Sequence, residues 1–547
     1  MLIKQLTNNF KYFFIGLIHT NISMIKSPQI DELNIENNIG GFSVIKKNIM
    51  EVLSLSSILK SSFGPLGMDK IIKESSNNIV ITNDGATILS KAKMKGDIRK
   101  MIAELSLSQD HEIGDGTTGV VIFTSALLEQ AEKLLDYGIH PSRISEGFNY
   151  ATDICIEFLD QQAQNLFGDL SDYSFLLSTS ITTMNSKVIN RSKKKLAEIC
   201  TKAVLAISDL ERRDINLELI KIEGKIGANL ENSMLINGIL INKEWSHPQM
   251  PKNVEDARIC MLACPLEPPK IKTKHELGID SVRAFRELEK TEGEFFYNII
   301  SQVKKSGSNV LVCQWGFDDE GNHLLLRNKI SAIRWVSGLE LELLAISCGA
   351  HIIPRFNEIT SSTLGFSGRI REICIGTENE RCMIFEDCPV AKSVTILLRG
   401  GSYFIIEEAK RAMIDAMATV KNLIKDSRIV TGGGSTEIAC SIKISDEAEQ
   451  SVGLKHYVLN AYSEALKIIP YVLSENSGYD PVRSVSSLEK EQRRTMNYNL
   501  GINCENGSID NMIKLRVFET LKSKQQQMQV ATQMAIAILK IDDMIVI

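Results

Sequence analysis

The amino-acid sequence predicts a multidomain α and α/β protein, in which a mostly helical domain built from both chain ends carries an inserted α/β domain. Three observations support this prediction. The chain has 547 residues, which is too long for a single hydrophobic core. Apolar residues recur at helical spacing up to residue 208 and again after residue 401. Between these regions, strand-like runs alternate with helical ones, as is typical of an α/β domain.

The first part of the chain is expected to be helical, with only short strands. The loop Phe63–Gly67 ends the first helix, because this Gly- and Pro-containing segment cannot continue it. A strand is predicted at Asn78–Thr82, followed by the turn Asn83–Gly85. Helices are predicted over residues 41–62, 86–91, 98–107, 120–137, 141–161 and 192–208.

The middle of the chain changes character at Leu217–Glu223, where apolar and charged residues alternate as in a strand. A charged helix is predicted at Ser281–Val303, and the pattern becomes helical again after Gly401, through Ile424. The apolar run Ile536–Ile541 predicts a final strand. Further strands are predicted over residues 239–241, 257–262, 309–313, 332–336 and 394–398. Short segments on either side of the inserted domain are expected to form a hinge.

Composition excludes several functional classes. The net charge of −5 gives no reason to expect a nucleic-acid partner. The apolar run Tyr12–Ile18 is shorter than the ~20 residues of a membrane-spanning helix, so no membrane partner is expected. Residues 1–23 are predicted to be an extension outside the domains, or the start to lie at Met24. Eleven cysteines without a zinc-like spacing indicate a reducing, cytoplasmic compartment.

No P-loop, protein-kinase, HExxH or GxSxG motif is present, so nucleophilic catalysis is not predicted. The most informative stretch is Gly114–Gly119, whose glycines permit close backbone approach to a ligand. Thr117 and Thr118 stand where a helix begins, and such a position favours anions. Asp115 would repel a phosphate unless a hard cation lay between them, and Mg²⁺ suits these oxygen ligands. The stretch predicts half of a Mg-nucleotide site; a Gly/Asp turn that caps a helix is the alternative.

Three further glycine loops could complete this site, although each is also compatible with an ordinary turn. Gly64–Gly67 could offer backbone N–H groups to phosphates. Asn83–Thr87 adds the carboxylate of Asp84 and a hydroxyl. Gly432–Ser435 could fit against a base or ribose, or could simply start a helix. Asp415 lies near the edge of an apolar helical stripe, where an isolated carboxylate usually reaches solvent.

Together, these motifs resemble those of the group II chaperonins in order and spacing. The resemblance extends from about Met24 to Asp543. Within the group, residues 245–251, 264–270 and 313–319 are similar to one subunit type of the eukaryotic cytosolic chaperonin. The other matching motifs are residues 64–70, 82–87, 114–118, 399–401, the Asp415 helix, 432–434 and 474–478.

The resemblance implies a chaperonin fold with three domains. These are a mostly helical equatorial ATPase domain, a small α/β intermediate domain, and an inserted α/β apical substrate-binding domain with a helical protrusion. The implied boundaries are 24–168 and 429–547 for the equatorial, 169–228 and 392–428 for the intermediate, and 229–391 for the apical domain. The implied function is ATP-driven folding in a cytoplasmic hetero-oligomeric double ring of paralogous subunits, with unfolded clients of the actin and tubulin class.

The resemblance also implies roles for individual residues. Asp115 is the implied Mg²⁺ ligand, and Asp84 and Asp415 would position and activate the water that attacks ATP. The implied nucleotide-binding residues are Gly64, Pro65, Gly85, Thr87, Gly116, Thr117, Thr118, Ser186, Gly433, Asn503, Glu519 and Lys524. Asn503 departs from the family, which usually has Asp there as a ribose or base contact. Because Asp415 falls in the intermediate segment, hydrolysis should require domain closure.

Two alternatives remain open. The chain could be a structural ring subunit with weak or no ATP turnover, which Asn503 allows but the retention of Asp84, Asp115 and Asp415 disfavours. It could instead be a free-standing Mg-dependent ATPase that acts on a small molecule. The long inserted segment, which carries no catalytic constellation, argues against this second alternative.

Overall fold

The computed structural model describes residues 42–73, 79–92, 96–165, 173–184, 189–268, 278–376, 380–389 and 393–542. The predictions for residues 1–23 and for Ser186 fall outside this described part. Within it, three large hydrophobic cores form. The predicted multidomain α and α/β fold is confirmed.

The N-terminal segment folds around a helix that begins at Thr117 and is buried along most of its length. Its helices are α1 (Phe42–Lys60), α2 (Gly85–Lys91), α3 (Asp97–Glu112), α4 (Thr117–Asp136) and α5 (Pro141–Gln162). Between α1 and α2, the strands β1 (Lys70–Lys73) and β2 (Ile79–Thr82) form an antiparallel hairpin. The short strand β3 (Gln164–Asn165) follows α5.

The next segment begins with two helices and two strands, α6 (Tyr173–Thr183), α7 (Lys193–Ile207), β4 (Ile220–Ile226) and β5 (Met234–Ile236). An α/β unit then follows along the chain. Its helices are α8 (Val282–Lys305), α9 (Asp319–Arg327) and α10 (Gly338–Cys348). Its strands are β6 (Gly238–Ile241), β7 (Asn253–Leu262), β8 (Val310–Cys313), β9 (Ser331–Ile333), β10 (Ile352–Ile353), β11 (Gly365–Ile375) and β12 (Glu380–Glu386).

The sheet of this unit has the strand order β6-β12-β11-β7-β8-β9, and β10 also pairs with β7. The pairs β7–β8 and β8–β9 are parallel, whereas β6, β12, β11 and β7 pair in antiparallel fashion. Parallel neighbours require crossover connections, which the helices α8 and α9 provide.

The chain then returns through β13 (Val394–Gly400) into the long helix α11 (Tyr403–Lys425). The later helices are α12 (Ser435–Gln450), α13 (Leu454–Leu466), α14 (Ile468–Asn476), α15 (Pro481–Thr495), α16 (Met512–Leu515) and α17 (Leu521–Leu539). The later strands are β14 (Arg428–Thr431), β15 (Leu500–Ile502), β16 (Ile509–Asn511) and β17 (Phe518–Thr520).

Three regions can be defined by their cores. The helical region has a core drawn from residues 45–159 and 430–539. The linking region has a core from residues 176–230 and 394–429 together with Phe518. The inserted region has a core from residues 239–388. In the linking region β13 lies parallel to β4 and antiparallel to β5, so both passages of the chain share one sheet.

Three strand predictions differ from the structure. Residues Leu217–Leu219 form a 3₁₀ turn, because the Asn216 side chain accepts a hydrogen bond from the Glu218 N–H, and the strand starts only at Ile220. The strand predicted over 332–336 ends at Ile333, since Trp335 has φ of 58°, outside the extended region.

The prediction of a final strand at Ile536–Ile541 is wrong, because helix α17 continues to Leu539. The apolar run there continues the buried face of that helix. A short continuous apolar run does not distinguish a strand from a buried helix end. None of the helices in the described part of the chain combines the length and apolar character needed to cross a bilayer.

Candidate functional site

A cavity of about 760 Å³ lies between the start of α4, the loop after β2, helix α11 and the C-terminal segment. Its volume falls in the range of small-molecule and cofactor sites. The predicted site residues Gly85 and Thr87 do not line it, but their N–H groups donate hydrogen bonds to Thr118 and Asp84, which do. The predicted site residues that line it are Gly64, Pro65, Asp84, Asp115, Gly116, Thr117, Thr118, Asp415, Gly433, Asn503, Glu519 and Lys524.

The start of helix α4 presents backbone donors to this cavity. Gly116 is the residue that precedes the helix, and as a glycine it has no side chain that could cap this end. The first N–H groups of a helix have no partner within the helix, and they therefore attract anions. Because Gly116, Thr117 and Thr118 all line the cavity, a phosphate fits at this end of α4.

Asp84 is held in place from two directions. Its carboxylate caps helix α2 by accepting hydrogen bonds from the N–H groups of Ala86 and Thr87, at 3.4 and 2.9 Å. It also accepts a hydrogen bond from the Thr117 hydroxyl at 3.0 Å. The N–H of Gly85 donates to the Thr118 hydroxyl at 3.1 Å. A Cβ at Gly85 would lie 2.6 Å from that hydroxyl, so the close approach requires glycine.

Asp115 points its carboxylate back to its own loop, where it accepts a 2.7 Å hydrogen bond from the Gly116 N–H. Burial raises the pKa of Asp115, and the Gly116 N–H and the charge of Lys524 only partly offset this effect. Asp415 projects from the middle of α11 into the same cavity. Its pKa is raised well above the usual value, first by burial and then by the charges of Asp84 and Asp115.

The pKa of Asp415 is raised in part because the charges of Asp84 and Asp115 repel its own, so negative charge accumulates at this site. A cation would relieve that repulsion, and hard oxygen ligands are those that Mg²⁺ prefers. Among the described residues, no group of three or more His, Cys, Asp or Glu could hold a metal alone. Mg²⁺ commonly binds through one or two carboxylates plus substrate phosphates and water. The residues therefore fit a cation that is shared with a bound phosphate.

Helix α11 presents a polar face toward the cavity. Glu408, Arg411, Asp415 and Thr419 line it and are spaced three or four residues apart, as one helical face requires. The sequence interpretation identified only Asp415 and missed Glu408 and Arg411. The signal that could have found them is this same spacing, because both lie one or two turns before Asp415.

Lys524 lies at the back of the site between two carboxylates. Its ammonium is 2.5 Å from Glu437 and 2.7 Å from Glu519. Burial alone would lower the pKa of Lys524, but the attraction of both carboxylates outweighs it and raises that pKa. Glu437 was not identified from the sequence, since a single acid in the first turn of a helix is common there. Lys524 therefore fixes the position of Glu519 at the cavity wall.

Asn503 faces the cavity from the turn between β15 and β16, but its side chain is already engaged. Its amide N–H donates to Asp510 at 2.9 Å, and its amide oxygen accepts from the N–H of Glu505 at 3.0 Å. Hydrogen bonds from Ser508 and Asn503 lower the pKa of Asp510. An aspartate at position 503 would face the Asp510 carboxylate, so the amide suits this turn. The N–H of Ile502 also donates to the carbonyl of Gly433 at 2.9 Å, which places the triple-glycine loop beside this turn.

Comparison with known proteins identifies similar chains. A model of the TCP-1/cpn60 chaperonin family matches residues 55–547. T-complex protein 1 subunit epsilon of Encephalitozoon cuniculi is 46% identical over 508 residues, which cover 93% of this chain and 95% of that protein. A thermosome subunit of Methanothermococcus thermolithotrophicus is 36% identical over 501 residues, 91% of each chain. One from Methanocaldococcus jannaschii is 35% identical over 501 residues, 91% of this chain and 92% of that protein.

Proposed function

The chain belongs to the TCP-1/cpn60 chaperonin family, and from that premise we propose that it is an ATP-hydrolysing subunit of a hetero-oligomeric, double-ring, group II chaperonin. The observation that carries the proposal is the position of Asp115 and Asp415. They are 300 positions apart in sequence and belong to regions with separate cores, yet both line one cavity.

The chemistry of phosphoryl transfer agrees with this arrangement. The reaction needs neutralisation of phosphate charge and an oriented nucleophile, with little covalent chemistry from the protein. The N–H groups at the start of α4 would hold the phosphates, with Asp115 as the ligand of Mg²⁺. When bound, Mg²⁺ supplies positive charge that neutralises the phosphate oxygens. Asp84, oriented by Thr117, and Asp415 would position the attacking water and accept its proton.

The same arrangement would couple hydrolysis to movement. Asp84 and Asp115 are held by elements of the helical region, whereas Asp415 belongs to a helix whose apolar face packs in the core of the linking region. The acids face one cavity only when the two regions are in contact. Hydrolysis would therefore follow closure, and ATP binding would favour the closed arrangement.

The proposed partners are paralogous subunits of a cytosolic double ring and unfolded clients of the actin and tubulin class. Similarity to a T-complex protein 1 subunit epsilon supports the proposal that this chain takes the equivalent position in the ring. One observation favours a second candidate, a ring subunit with weak turnover. The amide of Asn503 is engaged with Asp510 and is thus less available to a nucleotide.

The proposal is tested by isolating the tagged chain with its partners and measuring particle mass and ATP turnover. A particle of about 1 MDa is expected, against 60.9 kDa for the chain alone. Substitution Asp115→Ala should remove Mg-dependent ATP binding at this subunit. A monomeric chain would contradict the ring assembly, and unchanged ATP affinity in Asp115→Ala would contradict the metal role.

A further inference from the structure

Helix α11 is attached to the helical region on both sides of Asp415. On the C-terminal side, the amide of Asn422 donates to the carbonyl of Ile113 at 2.8 Å. On the N-terminal side, the guanidinium of Arg411 donates from Nη2 to the carbonyl of Ile81 at 3.3 Å. Asp415 therefore lies between two points of attachment to the region that holds Asp84.

Arg411 is itself held by Glu408, one turn earlier on the same helix. Its Nε and Nη2 donate to one carboxylate oxygen of Glu408, at 3.1 and 2.7 Å. The side chain of Glu408 is 5% exposed and that of Arg411 is 24% exposed. A buried carboxylate carries a large desolvation cost, and the pair occupies the wall of the cavity. Such a pair fixes the direction in which the guanidinium points.

The two ends of the Arg411–Ile81 contact are close in sequence to the two acids. Arg411 precedes Asp415 by four residues, about one helical turn or 6 Å along the axis. Ile81 precedes Asp84 by three residues and is the residue before the last one of β2. The hydrogen bond from the Arg411 guanidinium to the Ile81 backbone carbonyl therefore sets the height of α11 relative to the loop that carries Asp84.

We propose that Glu408 and Arg411 form a positioning pair, which docks α11 on β2 and so places Asp415 opposite Asp84 for hydrolysis. This inference rests on the proposed ATPase function. Glu408 orients Arg411, and Arg411 acts through the position of Asp415 rather than on the reacting atoms. The pair thus determines the rate of hydrolysis and leaves nucleotide binding to the start of α4.

The test uses the assembled complex that carries the tagged chain as wild type, Arg411→Met, Arg411→Lys or Glu408→Gln. An azido-ATP photoprobe is crosslinked to the chain with the radiolabel on either the α- or the γ-phosphate. The α-label reports binding at this subunit, and the rate at which the γ-label is lost reports hydrolysis there. Arg494→Met is the matched control, because Arg494 makes an exposed pair with Glu491 at the same i,i+3 spacing.

We expect Arg411→Met to bind the α-labelled probe within about twofold of wild type and to lose the γ-label at least about tenfold more slowly, because small misplacements of a catalytic group are costly. Arg411→Lys should recover much of the hydrolysis rate, since lysine keeps a positively charged hydrogen-bond donor at this position. Glu408→Gln should slow hydrolysis in the same direction, and Arg494→Met should match wild type. Thermal unfolding of each complex confirms that the variants are folded. If Arg411→Met does not assemble, the hydrolysis rates of Arg411→Lys and Glu408→Gln test the positioning role instead.

Loss of the γ-label at the wild-type rate in Arg411→Met would overturn the positioning role. Parallel loss of α-labelling and hydrolysis would also overturn it, because Arg411 would then bind phosphate directly. If the wild-type chain itself binds the probe and never loses the γ-label, the proposed ATPase function fails, and the inference fails with it. In the first two outcomes the wild-type chain still hydrolyses the probe. Failure of the positioning role can therefore be distinguished from failure of the proposed ATPase function.

Discussion

Thr117 and Asp84, which are 33 residues apart, are joined by a hydrogen bond of 3.0 Å from the Thr117 hydroxyl to the carboxylate. A second hydrogen bond joins the same two segments, because the Gly85 N–H donates to the Thr118 hydroxyl at 3.1 Å. The start of α4 and the loop before α2 thus form one unit. Asp415 reaches this unit from a helix of another core, so it is the acid whose position depends on the contact between regions.

Replacement of Asp415 tests that dependence directly. Asp415→Asn keeps the size of the side chain and removes the base, so hydrolysis at this subunit should fall at least about 100-fold. ATP binding should be retained or become tighter, because a buried negative charge facing the phosphates is removed. Subunit-resolved binding and turnover in the complex measure both quantities, with Glu407→Gln on the same helix as control. Equal loss of binding and turnover would indicate a structural role.

The pH dependence of turnover should reveal the raised pKa of Asp415. That pKa is raised by burial and by the charges of Asp84, Asp115 and Asp110. Asp415 must be deprotonated to accept a proton, so turnover should fall as the pH decreases through this raised pKa. Asp110→Asn removes one repelling charge and lowers the pKa of Asp415. The acidic limb of the pH–rate profile should then move to lower pH; movement to higher pH would contradict the assignment.

Gly114 sets how closely α11 approaches the loop that carries Asp115. It has φ of +71°, and a Cβ there would lie 2.4 Å from the Cβ of Ala418 on α11. Gly114→Ala should therefore push the helix away and slow hydrolysis more than it weakens ATP binding. The double variant Gly114→Ala/Ala418→Gly should recover part of the rate, although the backbone strain remains. Ala418→Gly alone is the control, with a stability cost of about 1 kcal/mol. No recovery in the double variant would show that the clash is not the cause.

The triad of Lys524, Glu437 and Glu519 should be important for stability. Lys524→Met leaves the buried carboxylate of Glu437 and the half-buried carboxylate of Glu519 without their partner, and should lower the free energy of unfolding by about 3–5 kcal/mol. The additional change Glu437→Gln should restore part of this loss. Because folding raises the pKa of Lys524, its contribution is present at neutral pH and is lost only in strongly alkaline solution.

Chemical denaturation measures these differences, with Lys467→Met as the matched control. Lys467 also faces two glutamates, Glu464 and Glu489, at 2.7 and 3.0 Å, but this cluster is more exposed. Its replacement should cost only about 1 kcal/mol or less. Equal losses for the two lysine variants would show that burial does not distinguish the triad.

The spacing of apolar residues was sufficient to predict most helices. It failed where the same spacing is compatible with either a strand or a helix. The helix predicted over 141–161 is Pro141–Gln162 in the structure, and the one predicted over 192–208 is Lys193–Ile207. Both have long apolar stripes at a single period. Ile536–Ile541 instead has a continuous apolar run, and only the packing of α17 against the helical core shows that it continues a helix.

The sequence by itself determined the chemistry of the individual loops. Glycines, hydroxyls and one acid within Gly114–Gly119 predict an anion-binding turn at the start of a helix, because these properties depend on neighbouring residues. The tertiary structure decided which loops share a cavity. Asp84, Asp115 and Asp415 meet because the helical and linking cores pack against each other, and distances across 300 positions depend on that packing. For the same reason, Glu408, Arg411 and Glu437 became part of the site only in the folded chain.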